Sequence, residues 1–189
     1  MSHTRMDSIS RNGNEMTTLK TFDARDFRAA LGRFATGVTV IATAHDGEIY
    51  GMTANAFMSV SLDPPLVLVA VGHHAAMYKR LLASQRYGVS VLSETQAALS
   101  DHFARRRVEH PTFEFIDKQG APVLRDAAAH LVARIVDAHP AGDHTLFIGH
   151  VEFLEWTDAK PLLFFGGKYH RLKTESAKYE AQQKDFSRY

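Results

Sequence analysis

Residues 51–65, GMTANAFMSVSLDPP, place Thr53, Asn55, Ser59 and Ser61 at alternate positions and then stop at two prolines. Side chains of an extended strand alternate between faces. The spacing therefore predicts one face of Thr53, Asn55, Phe57, Ser59 and Ser61, and an opposite apolar face of Met52, Ala54, Ala56, Met58, Val60 and Leu62. A solvated strand face more often carries Lys, Glu and Arg. Short hydroxyls and one amide are suited instead to hydrogen-bonding the edge of something flat and polar.

Other chemistries lack their residues. With no cysteine there is neither a disulfide nor a thiolate nucleophile. No G-x-G-x-x-G follows a strand, and no P-loop or G-x-S-x-G elbow occurs. The 11 histidines, including His73, His74, His139 and His144, have no H-E-x-x-H spacing, so no metal site is expected.

The elements that must position the hydroxyl row are well punctuated. Asp23 can cap a helix carrying Phe27, Ala30, Leu31 and Phe34 on one stripe and ending near Gly37. VTVIATAH (38–45) and EIYGMTANAF (48–57) flank Asp46-Gly47, a strong hairpin signal. After the turn at Asp63-Pro64-Pro65, LVLVAV (66–71) reads as a strand buried on both faces at the centre of a sheet. Residues 75–85 read as a helix and 87–92 as a strand, and Ser93 and Gln96 have the spacing of a capping box opening a helix to about Phe103. HPTFEFIDKQGAPVL (110–124) shows no period and reads as a loop. Strands follow at 130–139 and 144–156 around a turn at Pro140-Ala141-Gly142-Asp143, with one more in 161–167. Hairpin spacing predicts a mainly β chain with peripheral helices, an antiparallel barrel of six or seven strands.

At 189 residues and 45% hydrophobic content, one domain is expected. The 22 Lys+Arg against 21 Asp+Glu give no field that would draw nucleic acid or an anionic membrane. The longest apolar run is too short to span a bilayer, so a cytoplasmic protein is expected. The polar residues 1–18 read as a disordered tail and 173–189 as a polar C-terminal tail, leaving 19–172 as the domain.

Four segments in order, GRFATGVTVIAT (32–43), GMTANAFMSVSLDPPLVLVAV (51–71), A-x-L-S-x-H-F-A (97–104) and GDHTLFIGHV (142–151), resemble the short-chain flavin reductase family with its FMN-binding split-barrel fold. That resemblance implies an NADH-dependent flavin reductase that supplies diffusible reduced flavin, FAD or FMN, to a separate oxygenase acting on phenolic compounds. Within the family the chain resembles the reductases that serve chlorophenol and related phenol hydroxylases. It also implies a homodimer. Carried onto this chain, it puts Val38, Thr39, Thr53, Ala54 and Asn55 along the isoalloxazine ring and Ser59, Val60 and Ser61 at the ribityl phosphate. Arg86 is chosen over Lys79 and Arg80 as the phosphate's cation. Gly142, Asp143 and His144 match the family's turn near the nicotinamide, with His144 an orienting and electrostatic residue. Phe165, Tyr169 and Arg171 match its closing segment, where Lys168 and His170 depart from the usual pattern and Tyr169 is taken as the NADH contact. A non-enzymatic flavin- or haem-binding split barrel is the alternative.

Overall fold

The computed structural model describes residues 22–106 and 111–173. Both expected tails fall almost wholly outside those residues.

Asp23 caps helix α1 (Ala24–Leu31), its carboxylate accepting from the N–H groups of Arg25 and Asp26. The helix ends at Gly32 rather than near Gly37, and none of its residues is buried. Its apolar stripe, with Phe34 beyond it at 75% exposure, covers no core among the described residues. After a two-residue strand β1 (Thr36–Gly37), β2 (Thr39–His45) and β3 (Glu48–Ala54) form the expected hairpin. Asp46 and Gly47, with φ of 51° and 78°, supply the positive dihedrals that a tight turn of matching twist requires.

The run that reads as one strand is two. It bends at Asn55-Ala56, and β4 (Phe57–Leu62) pairs with β5 (Pro65–Gly72) instead of continuing beside β2. A bulge between Ser59 and Ser61 leaves Val60 unpaired. Bend and bulge each break the period of two, so the hydroxyls do not share a face, and Met58, Val60 and Leu62 are exposed.

Helix α2 (Ala76–Ser84) buries Met77 and Leu81 and leads into β6 (Arg86–Val91). Helix α3 (Ala97–Phe103) follows, with the Gln96 side chain accepting from the Ser93 N–H as a capping box would have it. Residues expected as loop form a hairpin, β7 (Phe115–Lys118) and β8 (Ala121–Leu124). Its turn uses Gln119 and Gly120 at φ of 52° and 78°, the same geometry that Asp-Gly signals more openly. The long strands β9 (Ala129–Ala141) and β10 (His144–Trp156) meet at Gly142-Asp143. Pro140 lies within β9, where β6 pairing has already ended at Arg134, so its missing N–H leaves no ladder bond unmade. Finally β11 (Leu163–Phe165) and β12 (Lys168–His170) add to β1 as a small sheet.

The main sheet is antiparallel throughout with the order β3-β2-β6-β9-β10-β5-β4. β9 is its centre, while β5 is next to an edge and alternates in burial, against the expectation of a central strand buried on both faces. The chain neighbours β3 and β4 lie at opposite edges, so the Asn55 bend carries the chain from one edge to the other. Register shows how far the sheet is rolled. Cα partners run from Ala54 through Thr39, Val91 and Ala129 to Trp156. Crossing the bend instead, Ala70 donates to the Ala56 carbonyl and is opposite Leu146. The two routes reach β10 ten positions apart (156 − 146), the stagger of a tilted, nearly closed barrel.

One core fills the inside of the roll, with Ile41, Val69, Tyr87, Val89, Phe147 and, from α2, Leu81. A second, including Val38, Val40, Leu92 and Leu162, lies outside it beneath α3 and β11–β12. Beyond His150, β10 has no β5 partner. Leu154 pairs with Leu131, which packs on the inner core, so Leu154 and Trp156 share the inner face, yet Trp156 is 72% exposed.

Candidate functional site

The outer side of the β2–β3 hairpin carries Val38 and Thr53. Val38 is buried in the second core. The Thr53 hydroxyl donates to the Ser100 carbonyl at 2.7 Å, which seats α3 against β3. Gly51 makes that packing possible, because a Cβ there would fall 2.7 Å from the Phe103 ring. Next to α3, β12 presents Tyr169. A cleft of about 130 Å³ opens between these elements, lined by Val38, Thr53 and Asn55 on one side and by Ser100, Arg106 and Tyr169 on the other, with Phe164 and Ala104. The Asn55 side chain is exposed and has no hydrogen-bond partner among the described residues, so both ends of its amide are available to a ligand.

Four residues singled out in the sequence thus come together: Val38, Thr53, Asn55 and Tyr169. Thr39 and Ala54 are adjacent but turned to the inside of the barrel. The Thr39 hydroxyl donates to the Ala54 carbonyl at 2.7 Å and Ala54 joins the inner core, so only their backbone can face a ligand. Gly142, Asp143 and His144 sit at the β9–β10 turn, where His144 Nδ1 is 2.7 Å from Asp143 Oδ1 and its ring lies over Gly72. Leu146, two residues along β10, is one strand from the Ala56–Ala70 contact, so this turn shares a rim with the Asn55 bend. The Asp143 carboxyl is held below the usual carboxylate range, chiefly by its hydrogen bond to His144. Ser59, Val60 and Ser61 lie further along β4, at the bulge.

Arg86 is not brought to that group. It starts β6, separated from β4 by three strands in the sheet order, where it donates to the Gln119 carbonyl and pairs with Glu152. Glu152, also paired with Arg134, is held below the ordinary carboxylate range by Arg134 first and Arg86 second. A depressed carboxyl contributes stability above its unfolded pKa and loses it as pH falls through the folded one. Arg86→Ala is therefore expected to lower the melting temperature by ~2 °C at neutral pH, the scale of an exposed ion pair, with the difference vanishing in acid. Thermal melts across pH check this, and a weakened FMN affinity in the same variant would restore the sequence-based role.

Sequence reasoning missed Ser100, Asp101 and Arg106. The phenol oxygen of Tyr169 lies 2.8 Å from both Ser100 Oγ and Asp101 Oδ1. Its one proton can serve one of them, and a carboxylate can only accept, so Tyr169 donates to Asp101 and accepts from Ser100. Burial pushes the phenol up, which keeps it a neutral donor at neutral pH. The L-S-D-H-F run of α3 was legible as a family segment, but nothing in its spacing marks Asp101 as facing β12.

Comparison with known proteins gives a consistent picture. The family model described as flavin reductase like domain matches residues 31–173. A protein of Rhodococcus sp named NADH-dependent flavin reductase is 46% identical over 149 residues, 77% of this chain and 85% of that one. The NADH-dependent flavin reductase StyB of Pseudomonas fluorescens is 40% identical, covering 78% and 89%. Among solved structures, flavin reductase PheA2 in its native state superposes with a TM-score of 0.78 at 50% identity, over 81% of this chain and all of that one. The Streptomyces globisporus NADH:FAD oxidoreductase SgcE6, in complex with NAD and FAD fragments, gives 0.76 at 38% identity over 84% and 99%.

Proposed function

This chain belongs to the flavin reductase like family, and from that premise we infer that it oxidises NADH and passes the electrons to a flavin, FAD or FMN. The reduced flavin is then released in the cytoplasm to a separate oxygenase component. When bound, the two ligands supply the chemistry between them, a hydride moving from nicotinamide to flavin. The protein's part is to hold two flat rings in register and to exclude water from between them.

The observation that carries this reading is the cleft uniting Val38, Thr53, Asn55 and Tyr169 from three separate parts of the chain. Its chemistry fits a flavin edge. An unpartnered amide and strand backbone can meet the polar rim of the ring, while Val38 and Phe164 offer apolar contact. His144, on the same rim and held by Asp143, is the residue we assign to orienting the nicotinamide. Because no residue here need act as an acid or base in hydride transfer, the site is built for alignment.

A cleft of about 130 Å³ is smaller than the roughly 300–1,000 Å³ of pockets that enclose a ligand of this size. Together with the uncovered α1 stripe and the exposed Leu154 and Trp156, this supports a homodimer in which the second copy completes the flavin pocket. The partner oxygenase is assigned by analogy with relatives such as the reductase component of 4-hydroxyphenylacetate 3-monooxygenase from Thermus thermophilus, 42% identical over 147 residues. An aromatic or phenolic compound is the expected oxygenase substrate.

Anaerobic rapid mixing of the protein with NADH and each of FAD, FMN and riboflavin tests the activity. Bleaching of flavin absorbance with NADH and far less with NADPH is expected. Absence of bleaching with every flavin would leave a binding protein.

A further inference from the structure

We propose that Arg106 receives the phosphate of a bound nucleotide and that Asp101 is the residue that positions it. This rests on the flavin reductase reading and adds a residue to its site.

The placement begins with the end of α3. Ala104 is its C-cap and Arg105 adopts φ of 57°. The Arg105 N–H donates to the His102 carbonyl and the Arg106 N–H to the Asp101 carbonyl, both at 3.0 Å. This is the paired closure of a left-handed helix terminus, and it folds Arg106 back over the helix instead of letting it run on into solvent. The Arg106 guanidinium then donates through Nη1 to Asp101 Oδ1 at 2.9 Å and lies 5.9 Å from the Tyr169 ring centroid. Asp101 Oδ1 thus accepts from Tyr169 and Arg106 together, and one carboxylate fixes two groups at the mouth of the cleft.

Guanidinium has five N–H donors. Among the described residues Nη1 alone is engaged, so Nε, Nη2 and the second Nη1 hydrogen remain for an anion. The cleft lining holds one charged side chain, Arg106, and no carboxylate, because Asp101 stands behind the wall with its Oδ1 spent. Other cations do not line the cleft, Lys168 and Arg171 beside Tyr169 included. Arg105 reaches the Tyr50 hydroxyl, Arg80 stacks on the Tyr50 ring at 4.3 Å, and Arg86 is held by Glu152. A planar fork with free donors at the edge of an otherwise uncharged cleft suits a phosphate or pyrophosphate oxygen.

Two sources share that chemistry, the flavin nucleotide and the pyridine dinucleotide, and equilibrium titration separates them. Calorimetric dissociation constants would be measured for FMN, riboflavin and NAD+ with the parent protein, Arg106→Ala, Arg106→Lys and Asp101→Asn. If the phosphate is the flavin's, Arg106→Ala weakens FMN about tenfold, the scale of a charge-assisted bond, with riboflavin within ~2-fold of the parent. If it is the dinucleotide's, the tenfold loss falls on NAD+. In either case Arg106→Lys recovers part of the affinity, and Asp101→Asn weakens the same ligand by a smaller factor while its melting temperature stays close to the parent's. Equal losses for FMN and riboflavin with NAD+ unaffected, or no loss for any ligand, would overturn the assignment. Should Arg106→Ala fail to fold, Arg106→Gln poses the same question. A parent protein that turns over NADH while Arg106→Ala binds FMN and NAD+ as tightly as the parent sinks this inference alone, whereas an inactive parent sinks the functional reading.

Discussion

Gly88→Ala is expected to be among the most damaging single methyl groups this fold can receive. Gly88 sits in β6 between Ala42 of β2 and Val132 of β9, in the most interior part of the sheet. The hairpin β7–β8 crosses its outer face closely. A Cβ at Gly88 would fall well inside contact distance of the Pro122 carbonyl oxygen and 2.7 Å from Val123 Cγ1. The obstacle is backbone, so no rotamer change relieves it, and β8 with its buried Ala121, Val123 and Leu124 must lift. Overpacking of well-filled cores costs about 1–3 kcal/mol, occasionally more, and a rigid obstacle places this case near the top of that range. For a chain of this size that lowers the melting temperature by ~6–12 °C. A thermal melt of the variant followed by circular dichroism checks it, and a shift under ~2 °C would mean that β8 does not rest on β6 as described.

The largest effect on activity is expected from Asn55→Ala. The side chain stands at the crossing between the two sheet edges, exposed and without a partner among the described residues, so removing it costs the fold little. Losing a hydrogen bond to a ring that gains negative charge on reduction costs about 1.5–3 kcal/mol, roughly 10- to 100-fold in NADH-dependent flavin reduction. His144→Ala, at the same rim, should produce a loss of similar order without unfolding, expressed more strongly in the KM for NADH. Steady-state kinetics of both variants, beside their melting curves, decide the matter. Parental rates in both would remove the site from this end of the barrel.

The sequence was most readable where geometry is local. Asp23 announces a cap and Asp46-Gly47 a hairpin, because each acts through bonds to residues one to three positions away. The split of residues 51–62 was hidden, since a period of two continues on paper through Asn55-Ala56 and through the bulge at Val60, and only pairing partners reveal the interruption. Gln119-Gly120 concealed a turn because glutamine is a weaker signal than asparagine or aspartate for positive φ. For the site, Val38, Thr53, Asn55 and Tyr169 were reachable through the family resemblance. Ser100, Asp101 and Arg106 are brought to the cleft and its wall by a helix packed across the hairpin, a relation between segments about 50 residues apart that no local pattern encodes. Arg86 misled because a cation beginning a strand looks the same in a sequence whether it awaits a phosphate or holds Glu152.

The overhanging end of β10 gives the experimenter a built-in lamp. Trp156 is the only tryptophan of the chain, and it stands largely in water on the one stretch of that strand that β5 does not cover. Indole emission moves to the blue when the ring leaves water, and a nearby yellow chromophore drains it. If a second copy covers this end, as proposed, dilution of the native protein should redden its fluorescence, and titration with flavin should dim it, with no label attached.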